Sequence, residues 1–239
     1  MSRRYSAVLF DKDGTLLDFA RSWAPISRRA ATLAARGHAA LVPALLRACG
    51  QDPDTDRFAP GSPMVSGTAA DVADCWMPLL PDADVDALTD LIDAVFTEGA
   101  RQVVPVEGLH RTIAALRAAG LRIGLATSDN EESARQTLEH LGLINDFDFI
   151  CGWDSGHGTK PGPGMALAFC AATGLHPSGV VMVGDSLHDL HMATAAGLGL
   201  RVAVLTGPAT AEQLADHADL VLQGIHELPL HIRGPGSPA

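Results

Sequence analysis

Residues 8–15, Val-Leu-Phe-Asp-Lys-Asp-Gly-Thr, constrain this chain more than any other stretch of it. The apolar run ending at Phe10 predicts a buried strand, because it is short, continuous and cut off by turn-forming residues. It stops at two aspartates, Asp11 and Asp13, followed by Gly14 and Thr15. Both carboxylates then sit at the C-terminal end of a strand, where a turning chain brings them onto one small volume. A hard divalent cation is the usual means of holding carboxylates so close, and such an arrangement suits phosphoryl chemistry. Taken alone, the stretch also fits a calcium-loop fragment or a plain Asp-Gly turn. The other parts of a site must therefore be sought at further strand ends.

The chain of 239 residues has room for one large domain or for a core with a smaller inserted domain. After the first strand Ala, Leu, Arg and Asp dominate, and helices are expected over 23–36, 41–49, 68–77 and 85–102. A Pro/Gly/Asp-rich loop, 52–67, separates the second from the third, and a loop of that length in a helical unit is often functional. Beyond residue 102 the pattern alternates. Strands are expected at 121–126, 147–151, 180–183 and 201–205, with 220–222 as a candidate sixth; helices are expected at 106–119, 131–141, 163–173 and 187–196. Strand and helix in alternation imply a parallel sheet. The Pro/Gly tail from Gly234 is expected to be disordered.

Composition excludes several partners. A formal charge of −11 disfavours a nucleic-acid backbone, and an anionic small substrate would need a local positive site. Cysteines 49, 75, 151 and 170 show no metal-ligand spacing, which points to reduced, buried thiols in a cytoplasmic protein. Met1-Ser2-Arg3-Arg4-Tyr5 and the short apolar run after it, which ends in charged residues, have the wrong shape for a signal peptide. No apolar run of about 18 residues exists, so no membrane partner is expected.

Ligands of open α/β sheets sit outside the carboxyl ends of the strands, and three further polar clusters fall at or near such positions. Thr127 offers a hydroxyl and neighbouring backbone N–H groups to a phosphate oxygen; equally, it could cap the following helix. Lys160, in a glycine-rich loop before a helix, could neutralise phosphate and nucleophile or be a solvated surface lysine. Gly184-Asp185-Ser186 ends an apolar strand. From there Asp185 can reach a magnesium ion, and Asp189, four residues on, can lie on the same side as a second or water-mediated partner; a simple capping motif is the alternative.

Read in order, Asp11-x-Asp13-Gly-Thr, Thr127, Lys160-Pro161 and Gly184-Asp185-Ser186-x-x-Asp189 resemble the four motifs of the haloacid dehalogenase-like (HAD) superfamily. The spelling Asp-Lys-Asp-Gly-Thr-Leu and a cap-like insert look most like its phosphoglycolate phosphatase-like branch. The resemblance implies an α/β fold: a HAD-like Rossmannoid core with a five-stranded parallel sheet in the order 5-4-1-2-3. The site would lie at the junction of strands 1 and 4. The core would comprise residues 1–16 and 103–239, and residues 17–102 an inserted α-helical cap domain that closes over the site.

By the same resemblance Asp11 is the nucleophile that takes the phosphoryl group, and Asp13 the general acid and base. Mg2+ would be held by Asp11, Asp13 through its backbone carbonyl, and Asp185, with Asp189 in support. Thr127, Ser128 and Lys160 would hold phosphate. Ser128 departs from the family, many of whose members carry Asn there. The expected activity is magnesium-dependent hydrolysis of a small phosphorylated metabolite through an aspartyl-phosphate. A sugar phosphomutase of the beta-phosphoglucomutase kind uses the same motifs, and a catalytically idle phosphate-binding module is the reading from another class. Dehalogenation needs no second aspartate at the Asp13 position. Around the site, His188 and His191 invite zinc but lack a third ligand of suitable spacing, and His157 could face the substrate or have no role. Arg21, Arg28, Arg57 and Arg101 could meet a substrate carboxylate or be surface charges. Oligomeric state is open.

Overall fold

The computed structural model describes residues 5–99 and 102–232, so Arg101 and the tail from Gly234 lie outside the described residues. Two compact units divide the chain. One contains the residues up to Asp18 and from Pro105 onward; the other is Phe19–Val104.

In the first unit β1 (Ala7–Phe10), β2 (Arg122–Ala126), β3 (Phe149–Cys151), β4 (Val180–Gly184), β5 (Leu200–Val204) and β6 (Leu220–Leu222) form one sheet. Its order is β3-β2-β1-β4-β5-β6 and every pairing is parallel. The sheet thus has six strands rather than the five expected. The sixth extends the expected order beside β5, with Val202 opposite Leu220. Three residues are too few for an alternation pattern, and it is the pairing with β5 that makes them a strand.

β1 is buried along its whole length because helices cover both sheet faces. Val8 and Phe10 pack with Leu109, Ile113 and Leu138 on one side; Ala7 and Leu9 pack with Met165, Phe169 and Met192 on the other. Such two-sided burial is what a continuous apolar run demands, as opposed to an alternating one. The covering helices are Leu109–Ala118, Glu131–His140, Gly164–Thr173 and Leu187–Ala196. The first of these begins later than expected: Gly108, at φ 73°, is its N-cap, so residues 106–108 approach the helix without joining it.

Strand order reverses between β1 and β4. Phe10 lies opposite both Leu125 and Val183, so Asp11, Thr127 and Asp185 leave the sheet from neighbouring strand ends. A crevice at such a reversal is where open parallel sheets place ligands.

The second unit is helical: Phe19–Ala34, Val42–Ala48, Ala69–Trp76 and Val85–Gly99 are its main elements. They enclose a core that includes Leu45, Leu46, Val72, Trp76 and Ile92. Trp76 is fully buried, and its indole N–H donates to the Leu45 carbonyl at 2.8 Å, satisfying its one polar group. The long loop contains a short helical turn, Pro63–Ser66. At the edge of the first unit, Leu17 bridges antiparallel to Pro105, and the Val106 N–H donates to the Leu16 carbonyl at 3.0 Å. Leu16 in turn donates to the Lys12 carbonyl at 2.9 Å, so this crossing is tied to the loop that carries Asp11 and Asp13. Among the described residues no helix is long and apolar enough to cross a membrane.

Candidate active site

Asp11 is the first residue beyond β1, and its N–H donates to the Val183 carbonyl at 2.9 Å, which fixes it against the end of β4. The Lys160 ammonium donates to Asp11 Oδ1 and to Asp189 Oδ1, each at 2.6 Å. Lys160 is therefore a buried bridge between carboxylates and not a solvated surface lysine. Burial works against its charge, but the two carboxylates more than reverse this and its pKa is raised.

Asp189 belongs to a capping box at the start of Leu187–Ala196. Its Oδ2 accepts from the Ser186 N–H at 3.2 Å and from the Ser186 hydroxyl at 2.6 Å. The capping reading of this residue holds: the cap fixes the side chain through one oxygen, and the other oxygen meets Lys160. Gly184 permits this, since a side chain there would collide with Asp189.

Asp185 follows β4 and is held in a cradle of glycines. A Cβ on Gly14, whose φ is +86°, would lie 2.5 Å from Asp185 Oδ2, and one on Gly207 would occupy the carboxylate itself. The Thr206 hydroxyl donates to the Gly14 carbonyl at 2.6 Å, locking the loop after β5 to the loop after β1. Burial, then Asp11 and Asp189, raise the Asp185 pKa well above the carboxylate range. Burial also raises Asp11 to about 6, against the opposing pull of Lys160.

Asp11, Asp185 and Asp189 each offer an oxygen atom, and these lie within 4.8 Å of one another. It is the sole such metal-competent group among the described residues. Three buried carboxylates share a single ammonium, which leaves two negative charges in excess. An all-oxygen set with that excess fits a hard divalent cation, and the raised carboxyl pKa values of Asp11 and Asp185 come from burial first, with the neighbouring carboxylates adding to it. Both Asp189 oxygens are already engaged, so Asp11 and Asp185 are the better candidates for direct ligation.

Thr127 is buried, and its Oγ1 accepts from the Asp129 N–H at 3.1 Å. It does not cap the next helix. That role falls to Asn130, whose side chain accepts from the Ser133 N–H at 2.7 Å. Ser128 is exposed at the turn. Asp13 is less buried than Asp11 and Asp189, with 24% of its side chain accessible, and it pairs with Lys12 at 2.8 Å. Lys12 also meets Asp129 at 3.1 Å.

Sequence reasoning assigned no role to Lys12, Asp129, Thr206 or Gly207. A lysine at the end of a wholly apolar strand was a legible signal, because such a charge has to find a partner. The loop after β5 gave no such signal, and only the sheet brings it beside Asp185.

Other candidates fall elsewhere. His191 faces His217 at 3.1 Å and not a metal-binding trio with His188. His157 is exposed, in a loop whose Ser155 hydroxyl donates to Glu131 at 2.6 Å. In the helical unit Arg28 meets Asp56 at 2.6 Å and the Pro53 carbonyl at 3.0 Å, and the residues Arg21 and Arg57 are largely accessible to solvent. All four cysteines are free thiols, and Cys75 is only half-buried where the sequence led us to expect burial.

The model of the haloacid dehalogenase-like hydrolase family matches residues 5–197. The phosphoglycolate phosphatase of Xylella fastidiosa is 32% identical over 203 residues, covering 82% of this chain and 79% of the relative. The N-acetylmuramic acid 6-phosphate phosphatase of Pseudomonas aeruginosa is 28% identical over 195 residues, covering 81% and 79%. A HAD family hydrolase from Deinococcus radiodurans, solved with bound phosphate and sodium, superposes with a TM-score of 0.71 at 23% identity, over 94% of this chain and 93% of its own. That likeness is one of fold. Family match, relatives and the ordered strand-end aspartates agree: the chain belongs to the haloacid dehalogenase-like hydrolases, in their phosphoglycolate phosphatase-like branch.

Proposed function

We propose that this enzyme hydrolyses a small phosphorylated metabolite in the cytoplasm, with magnesium as cofactor and an aspartyl-phosphate on Asp11 as intermediate. The observation that carries the reading is the Asp11–Lys160–Asp189 bridge at the sheet reversal, with Asp185 beside it. An Asp11 carboxylate oxygen bonds to phosphorus as the ester P–O bond breaks, and Asp13 gives its proton to the leaving oxygen. Water then attacks the phosphorus of the aspartyl-phosphate, its proton passing to Asp13, and inorganic phosphate leaves with Asp11 restored. Lys160 offers its positive charge to the transferring oxygens. Thr127 accepts the Asp129 N–H, and so can turn its own hydrogen toward phosphate. Ser128, exposed at the same turn, is a further candidate donor. Magnesium, held by Asp11, Asp185 and the Asp13 backbone carbonyl with Asp189 in support, would screen the anionic nucleophile from the anionic phosphate.

Both relatives named above are phosphatases of phosphorylated carboxylic acids, and phosphoglycolate is the substrate class we favour. Arg21, Arg28 and Arg57 of the helical unit are the candidates to meet the carboxylate. Four free thiols support a reducing compartment. The test is turnover of a panel of phosphorylated metabolites and an aryl phosphate, with magnesium and with EDTA. Phosphate release that needs magnesium and vanishes in Asp11→Asn is expected. Inertness toward every phosphomonoester would refute the enzyme reading, and transfer of phosphate to a sugar instead of water would replace hydrolase by mutase.

A further inference from the structure

Lys12 lies between the two motif aspartates, and only 2% of its side chain is accessible. A lysine so buried has to be paired, and both of its partners are carboxylates on different loops: Asp13 Oδ2 at 2.8 Å and Asp129 Oδ2 at 3.1 Å. Asp129 is itself held from several sides. Its Oδ2 accepts from the Ser133 hydroxyl at 2.7 Å and its Oδ1 from the Asn130 N–H at 2.9 Å. Its N–H donates to Thr127 Oγ1 at 3.1 Å, and its carbonyl accepts from the Trp153 N–H at 3.0 Å. Asp129 is thus a fixed point at the start of the helix Glu131–His140, and Lys12 carries that fixity across to Asp13.

We propose that Lys12 and Asp129 are positioning residues for Asp13: together they hold its carboxyl group where its proton reaches the leaving oxygen, and tie it to the loop that carries Thr127. The inference rests on the phosphatase reading above. Stability alone does not call for the arrangement, because replacing a buried ion pair as a whole by apolar side chains of similar volume is often neutral or stabilising, and removing one partner is costly only where the other stays buried. Removing the Lys12 ammonium would leave Asp13 and Asp129 with 24% and 33% of their side chains accessible, so water could solvate both. Lys12→Met is therefore expected to fold.

The test compares kcat/KM, which reports the step that expels the leaving group, for two substrates. Para-nitrophenyl phosphate has a leaving group that departs without a proton; an alkyl phosphate needs one. In Lys12→Met and in the near-isosteric Asp129→Asn, kcat/KM for the alkyl phosphate should fall at least ~10-fold further than for the aryl phosphate, within the range that a general acid contributes. The magnesium concentration for half-maximal activity should stay at the wild-type value. Equal losses on both substrates, no loss, or a parallel change in magnesium requirement would overturn the inference. Should Lys12→Met fail to fold, Asp129→Asn makes the same comparison from the other end of the pair. Wild-type protein inert toward both substrates would sink the phosphatase reading and this inference with it, whereas an active wild type with equally impaired variants would sink the inference alone.

Discussion

Asp185, our candidate magnesium ligand, is a residue whose charge is costly to bury. Burial raises its carboxyl pKa, as it does that of Asp11, to about 6 in the latter from a usual 3.8. The folded protein therefore holds protons on these groups that the unfolded chain has already released, and in that window stability falls as pH rises. For Asp11 the window runs from about pH 4 to beyond pH 6. A divalent cation competes with those protons, so the rise in Tm on adding magnesium should be small at about pH 5 and large at about pH 8. Thermal melts in EDTA and in magnesium test this, and an equal rise at both pH values would show that these carboxylates do not hold the ion. Asp185→Asn should abolish magnesium-dependent activity and the magnesium-induced rise in Tm. It should also raise the Tm of the EDTA-treated protein near neutral pH, because a buried carboxylate with too little counter-charge becomes neutral.

At the scale of elements, the site depends on loops that sequence distance hides. The loop after β5 approaches Asp185 so closely that Gly207 has no room for a methyl group. Gly207→Ala should push the Asp185 carboxylate aside and raise the magnesium concentration for half-maximal activity by ~10-fold or more, the scale on which disturbed support of a metal ligand acts. Unchanged metal dependence in a folded variant would disprove the contact. The opposite end of the sheet is a stability element. Asp148 is raised by burial but more strongly lowered by the Ile123 N–H and by Arg122 and Arg117, so its pKa lies below the usual value. A depressed carboxylate stabilises fully above its unfolded value, near 3.8, and that contribution is lost as pH falls through the folded value. Asp148→Asn should therefore lower the Tm at neutral pH by an amount that shrinks toward acid pH. A Tm deficit independent of pH would mean that the ionised carboxylate is not what stabilises this corner.

For the molecule as a whole, the compact helical unit Phe19–Val104 is our candidate for the cap that selects the substrate. Phosphate and metal contacts are common to all phosphomonoesters, so discrimination among leaving groups has to come from residues outside the sheet ends. The chain leaves and re-enters the first unit where Leu17 bridges Pro105, which suggests that the insert can be shortened at that crossing. Replacing it by a short linker should cost at least ~10-fold more kcat/KM toward phosphoglycolate than toward para-nitrophenyl phosphate, by loss of both contacts and water exclusion. Equal losses on the two substrates would remove the insert from specificity.

Much was legible in the sequence alone, because it is local chemistry. An apolar run cut off by Asp-Lys-Asp-Gly-Thr announces a buried strand that ends in carboxylates, and alternating strand and helix patterns announce a parallel sheet. Asp11, Asp185, Asp189 and Lys160 were found in this way, and the structure brings those four together. What the tertiary structure decided is pairing across distance. That Lys160 is buried between Asp11 and Asp189, that Lys12 joins Asp13 to Asp129, and that Gly207 cradles Asp185 all depend on which strand ends are neighbours in the sheet. The same holds for the sixth strand, whose three residues become β structure by pairing with β5. Periodicity reports which face of an element is buried, but a charge does not reveal its partner until the strands are laid side by side.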